Sequence, residues 1–330
     1  MNMHLSQFLL HRIEVDIKKS KPAGFTLVEL LVSMLMAGII VSSLLFMVVN
    51  LLQTDQKESA TNQTQGEMQA AMDYITSDLR NAVYVYDDVT KLSSYLPDFA
   101  TTYKPILAFW KTESVTEQNQ SLPLDCTIAT FTALQKEECT SLRVRQSTYT
   151  LVVYLQSKGE GGEWKGQSRI RRYQLRKYKN TDTEKMSTLS QSKGYVDPSQ
   201  TNTNFQKWPL SNVDGTTNLQ GVNNKPNVDG DVLVDFVDDP TNEVTISSCP
   251  STDYIRTPII PASPAVNNST SFFACVRNEA NSVGLNQDVI VFLRGNPIGK
   301  TGIFTFANKQ LPTLQSQVIA RGVLDKTPPQ

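Results

Sequence analysis

The chain has 330 residues, 39% of them hydrophobic, with 31 basic and 32 acidic side chains. That length supports one large or two small domains beyond any membrane segment, and the near balance of charge argues against nucleic-acid binding through bulk electrostatics. Both histidines, His4 and His11, lie close to the start, so nucleophilic chemistry that needs a histidine base has nothing to draw on further along.

Residues 1–24 do not read as a secretory signal peptide, because the apolar stretch after Leu5 is short and is broken by His11, Arg12, Glu14 and Asp16. Leu5, Phe8, Leu9 and Ile13 offer only a rudimentary membrane-surface helix. Lys18, Lys19, Lys21 and the step Pro22-Ala23-Gly24 then lead into Phe25 to Leu52, 28 residues whose only charge is Glu29. As a helix this stretch would be roughly 42 Å long, more than the roughly 30 Å of hydrocarbon in a bilayer, so it is expected to span a membrane. The lysines predict a cytoplasmic N-terminus and a C-terminal bulk on the opposite side. Glu29 is the anomaly, since a charge near the centre of a membrane helix costs about 2.5 to 3.5 kcal/mol by insertion scales and calls for a partner.

The run Gly24-Phe25-Thr26-Leu27-Val28-Glu29, preceded by basic residues and followed by the unbroken apolar helix, resembles the cleavage and methylation motif of type IV pilins and type II secretion pseudopilins. The resemblance covers about 35 residues. It implies that residues 1–24 are a cytoplasmic leader, that a membrane prepilin peptidase cuts between Gly24 and Phe25 and methylates the new amine on Phe25, and that Glu29 neutralises the terminal amine of a neighbouring subunit during assembly. An ammonium and a carboxylate that meet inside lipid cancel charges that are costly to bury alone. The implied partners are the peptidase, other pilins or pseudopilins, an inner-membrane assembly platform and the membrane itself. The implied location is the inner membrane, single-pass, with the head outside the cytoplasm and incorporation into a pilus or pseudopilus. Loss of residues 1–24 would leave no histidine and a side-chain balance of about −3.

Beyond Leu52 the helix is expected to continue. Gln53 to Glu67 is polar on every side and has no core of its own to face, after which Met68, Met72, Ile75, Leu79 and Val83 recur at helical spacing. The reading is one helix over roughly 25–82, with a transmembrane half (25–52) and an amphipathic half (53–83). The rest, 84–330, is expected to be a β-rich head. Ile106 to Trp110, Leu142 to Arg145, Thr148 to Leu155 and Arg169 to Tyr178 read as antiparallel strands, the last two joined by the glycine-rich hairpin SKGEGGEWKGQ. Tyr149, Leu151, Val153 and Leu155 alternate toward the core. Asp231 to Val237, Asp288 to Arg294, Gly302 to Ala307 and Ser316 to Gly322 are further strands, giving a sheet of six or more. Asn180 to Asp229 and Pro250 to Thr270 read as loop excursions. The fold class is therefore α+β, a long N-terminal helix packed on an antiparallel sheet with long loop insertions.

Cys126, Cys139, Cys249 and Cys275 all follow the membrane helix, where disulfides are permitted, and allow three pairings. Pairing between sequence neighbours would join Cys126 to Cys139 and Cys249 to Cys275. Zinc spacing is absent. Some pseudopilins hold calcium in a loop, and Asp229, Asp231, Asp235, Asp238 and Asp239 are candidate ligands by density. Their spacing fits no EF-hand, and Asp231 to Asp235 reads as a strand with solvated ends, so no metal and no cofactor is expected. Arg143, Arg145, Lys158, Lys165, Arg169, Arg171, Arg172, Arg176, Lys177 and Lys179 read as a solvated basic sheet face or a docking surface. Trp110 reads as core, with Trp164 and Trp208 in loops.

A second resemblance rests on Tyr74-Ile75 with Asp78-Leu79-Arg80-Asn81-Ala82 and the strands after it, which look like the larger minor pilins and pseudopilins of the J and W type. DLRNAVYVYDD and DVIVFLRGNP are similar to cyanobacterial pseudopilins linked to hormogonium polysaccharide secretion. The expectation is a non-enzymatic minor subunit that primes or caps a filament. The rival is a singly anchored extracytoplasmic protein that binds or cleaves polysaccharide.

Overall fold

A computed structural model describes residues 24–99, 103–115, 121–159, 162–181, 183–228, 230–241, 249–259, 271–278, 287–300 and 311–321. Residues 1–23 of the expected leader, the expected strand Gly302 to Ala307 and most of the Pro250 to Thr270 excursion lie outside these. The chain divides into two units, one ending at Thr54 and the other beginning at Asp55. The first holds the opening half of helix α1 (Leu27–Arg80), in which every described side chain from Gly24 to Thr54 is exposed.

The second unit begins within the same helix and is organised by its buried stripe. Ala60, Thr64, Met68, Ala71, Met72, Ile75 and Leu79 follow one another at steps of about one turn and face inward. The polar stretch is thus not without a core, since Ala60 and Thr64 extend the stripe back by two turns. The close approach at Thr64 requires a glycine opposite, because a Cβ on Gly295 would lie 2.8 Å from the Thr64 methyl carbon and 3.0 Å from Met68 Cγ. The helix stops at Arg80, so Val83, expected on its stripe, belongs instead to strand β1 (Ala82–Val85).

The expectation of one large sheet is corrected to two. Strands β1, β2 (Tyr103–Ser114), β3 (Ser147–Lys158), β4 (Ser168–Arg176) and β5 (Asp231–Val237) form an antiparallel sheet in sequence order. Strands β6 (Tyr254–Thr257), β7 (Phe272–Arg277), β8 (Asp288–Arg294) and β9 (Thr313–Ile319) form a second one. Helix and both sheets share one apolar core that includes Ile75, Ile106, Tyr154, Phe272 and Val291. The sheets are also stitched by hydrogen bonds. Gln287 accepts from Val85 N and donates to Val85 O, both at 2.8 Å, and Thr257 donates to Ile106 O at 2.8 Å.

Strand β3 is buried on both faces, so the expected alternation toward the core holds for one face and leaves the other unread. Val152 and Tyr154 face the helix, whereas Tyr149, Leu151, Val153 and Leu155 face a second apolar cluster on the far side. That cluster is closed by the loop excursion after residue 180, which has little regular structure beyond a short 3₁₀ turn (Met186–Thr188) yet buries Tyr195, Val196 and Trp208. Trp208 is 2% exposed, donates to Val196 O at 2.8 Å and meets Trp110 edge to face at 5.3 Å. Leu142 to Arg145 is not a strand but the last turn of helix α2 (Ala133–Arg145). A capping box between Thr132 and Gln135 starts that helix, and the Cys126–Cys139 disulfide pins it. The second bridge is Cys249–Cys275, so the pairing is between sequence neighbours.

The basic cluster is not one solvated face: Arg143, Lys158 and Lys165 are exposed, but part of it is interior. Arg169, Arg172 and Lys177 are buried, the last at 1% exposure, and all three have carboxylate partners. The Lys177 ammonium lies 2.7 Å from Glu138 of α2 and 2.8 Å from Asp197 of the loop excursion. In the last turn of the helix, Asp78 accepts from Arg172 Nε at 2.7 Å, Tyr154 OH at 2.8 Å and Lys111 Nζ at 2.9 Å. Burial pushes the Asp78 carboxyl up, but the hydrogen bond and charge of Arg172, joined by Lys111, outweigh it and hold the group below its ordinary range.

Because that pKa is depressed, ionised Asp78 contributes its full stabilisation above the unfolded value of about 3.9 and loses it as pH falls through the lower folded value. Asp78→Asn leaves buried Arg172 and half-buried Lys111 underpaired and is expected to cost about 3 to 5 kcal/mol, a fall in Tm on the order of 10 °C at pH 7. Thermal melts should show this gap narrowing below pH ~4, as the native carboxylate also protonates. A gap that stays the same between pH 7 and pH 2 would refute the electrostatic account.

Candidate processing and assembly site

The N-terminal segment is built by ordinary helix-start chemistry. Thr26 is the capping residue: its side-chain oxygen accepts from Glu29 N at 3.3 Å, and its carbonyl accepts from Glu29 N at 3.0 Å and Leu30 N at 3.2 Å. The spacing Thr26-x-x-Glu29 is that of a capping box, a signal legible in the sequence and not read above. Only half of that box forms here, since Glu29 supplies its backbone N–H while its carboxylate makes no described bond back to Thr26.

Glu29 is therefore an exposed carboxylate in the first turn of α1, surrounded along the helix by Phe25, Val28, Leu30 and Val32, all of them exposed. Among the described residues no cation lies within ion-pair distance of it. The helix dipole favours an anion in this position by about 0.3 to 1 kcal/mol, less than a charge in hydrocarbon costs at a helix centre, so the chain by itself does not balance this charge.

Gly24 is equally unconstrained from within. A Cβ built there meets nothing within 4 Å. The fold has no steric need for glycine at this position. Gly24, Phe25, Thr26 and Glu29 lie together on an exposed end at the start of a helix that is long and apolar enough to cross a membrane by length and composition.

The acidic candidates are not gathered into a site. Asp229 lies outside the described residues and Asp231 is exposed at the start of β5. Asp235 accepts from Gly166 N at 2.9 Å and faces Arg169, Asp238 is buried against Arg294 and Asn296, and Asp239 is held by Thr241 and Lys158. Among the described residues no group of three or more histidine, cysteine or acidic side chains is arranged to hold a metal ion.

Residues 19–45 match the family model of the prokaryotic N-terminal methylation motif. The match covers a small part of the chain, and it supports a type IV pilin- or pseudopilin-like protein with a single-pass membrane anchor. No curated protein and no solved structure matches the chain.

Because the space around Gly24 is open, Gly24→Leu is expected to leave the stability of the head within about 0.5 kcal/mol of the unaltered protein in a denaturant melt. A loss well beyond that would mean the fold itself requires this glycine.

Proposed function

We propose that the protein is a minor pilin or pseudopilin: residues 1–24 are a leader held in the cytoplasm, a prepilin peptidase removes it after Gly24 and methylates Phe25, and the helix 25–52 then assembles with other pilin-type subunits on an inner-membrane platform. The single observation that carries this reading is the motif Gly24 to Glu29 at the head of the apolar helix, with a glycine the fold does not need and a carboxylate that has no described partner. Both residues are explained by something outside the chain. A peptidase needs a small residue before the scissile bond, and the freed amine on a neighbouring subunit neutralises Glu29. The head of residues 84–330 sits outside the cytoplasm.

The finer role is that of a J- or W-type subunit that primes or caps a short filament extended by a cytoplasmic motor. Size supports this, because a head of this bulk with long loop excursions is awkward to repeat along a tight helical filament. The stretches DLRNAVYVYDD and DVIVFLRGNP support a system that secretes polysaccharide, with motility as the other destination.

Expressed with its peptidase, the unaltered protein should lose the mass of residues 1–24 and gain one methyl group, whereas Gly24→Leu should stay at full mass in the membrane. Glu29→Ala should still be cut but should be lost from sheared filaments or from cross-links to neighbouring subunits. Cleavage of the leucine variant, or normal incorporation of the alanine variant, would sink the assignment.

A further inference from the structure

The second unit carries an open groove that the N-terminal motif does not use. It is about 700 Å³ in volume and runs between helix α1 (Glu67, Ala71, Tyr74), the β3–β4 hairpin (Trp164) and strand β5 (Val234, Phe236). A volume of this size lies in the range of small-ligand sites. Beyond Tyr74 a second cleft of about 550 Å³ continues along the same helix past Ser77, Asp78 and Asn81. From Glu67 to Asp78 about 17 Å of this helix borders the two clefts in turn, with Tyr74 lining both, a trough long enough for a short chain of linked rings.

The two rings that flank the groove are unusually available. Trp164 is 40% exposed and Tyr74 48% exposed, in a molecule whose other two tryptophans are buried. Each has a fixed setting. Arg172 lies 5.3 Å from the Tyr74 ring centre, while the turn bearing Trp164 is pinned by Gly166 N donating to Asp235 and by the Trp164 carbonyl accepting from Arg169. The wall opposite is strained, for Phe236 holds φ +59°, a conformation that bulky side chains rarely adopt and that clusters at binding sites. Lys300 secures it, 4.6 Å over the Phe236 ring and 2.9 Å from Glu67.

Charge selects the ligand. Glu163 and Lys165, on either side of Trp164, have no ion-pair partner among the described residues, while Glu67, Asp78 and Asp235 are each matched to a cation. The rim thus offers one free acceptor group and one free donor group around an exposed indole, with no net charge. A charged ligand gains from one of these groups what it loses to the other, and an apolar one uses neither, whereas a neutral ligand bearing hydroxyls can donate to Glu163 and accept from Lys165 at once. A peptide adding as a strand is disfavoured, because the register of β5 is broken by bulges and its edge is twisted at Phe236. A neutral polyhydroxylated ring has an apolar face to stack on indole and hydroxyls that both donate and accept.

We propose that this trough binds a neutral hexose oligosaccharide, stacked on Trp164 and Tyr74 and hydrogen-bonded to Glu163 and Lys165. The proposal does not depend on pilin-type assembly. Calorimetric titration of the full chain in detergent with cellohexaose and maltohexaose should show saturable binding of at least one, and hexagalacturonate should bind more weakly. Since Trp110 and Trp208 are buried, binding should also shift the emission of Trp164. Trp164→Ala should weaken binding about tenfold or more with the melting temperature unchanged, whereas Trp164→Phe should keep most of it. Failure of both neutral hexaoses to bind, tighter binding of hexagalacturonate, or unchanged affinity in the alanine variant would overturn the proposal.

Discussion

The head depends on one buried carboxylate. The apolar stripe on α1 specifies which face of the helix turns inward, but Met68, Met72, Ile75 and Leu79 form a smooth ridge that a shift of one turn would still bury. Asp78 removes that freedom. It meets Lys111 of β2, Tyr154 of β3 and Arg172 of β4 at once, and sliding the helix by a turn would break all three. The desolvation cost is large, and burial alone would push the group toward its neutral form. Two cations and a hydroxyl reverse that balance, so the cluster works as a register pin more than as a net source of stability.

The same device recurs where apolar contact alone is ambiguous. Lys177 joins the end of β4 to α2 and to the loop excursion after residue 180, and Asp238 joins the end of β5 to Arg294 of β8. Asn296 and Gln156 add neutral links in the same layer. The loop excursion needs such an anchor, because its polar composition offers few apolar side chains with which to hold itself in place. Tyr195, Val196 and Trp208 fill the far face of the first sheet, and Lys177 with Asp197 fixes where they land.

What was legible in the sequence depended on whether the signal was local. The methylation motif, the apolar run, the helical stripe and strands β5 and β8 are all local patterns, and each could be read from a few adjacent residues, whereas the four cysteines left three pairings open until the fold brought Cys126 to Cys139 and Cys249 to Cys275. The misreadings share the opposite property. Arg169, Arg172 and Lys177 resembled a solvated face because Arg172's partner Asp78 is 94 positions away in the chain and the others lie outside any short window. Alternation in β3 identified Tyr149, Leu151, Val153 and Leu155, which pack under the polar excursion, but nothing nearby announced that Val152 and Tyr154 on the other face would be buried against the helix. Leu142 to Arg145 has strand-like composition, but the capping box ten residues earlier decided its conformation. Strands β6 and β7 were missed beside a proline-rich stretch whose turn signals dominated the reading.

Two kinds of constraint can be told apart on this basis. Gly295 and Asp78 are restricted by the chain itself: the space in front of one and the cations around the other define which residue can stand there. Gly24 and Glu29 are restrictive residue types where the chain imposes no restriction, one in open space and one exposed among apolar side chains. A residue of the first kind is a statement about folding. Residues of the second kind are not explained by folding, and under the proposed function they form a surface that serves a peptidase and neighbouring subunits. The exposed indole of Trp164, between a carboxylate and an ammonium with no ion-pair partner among the described residues, has the same signature, which is why the groove along α1 is another place where chemistry points away from the fold.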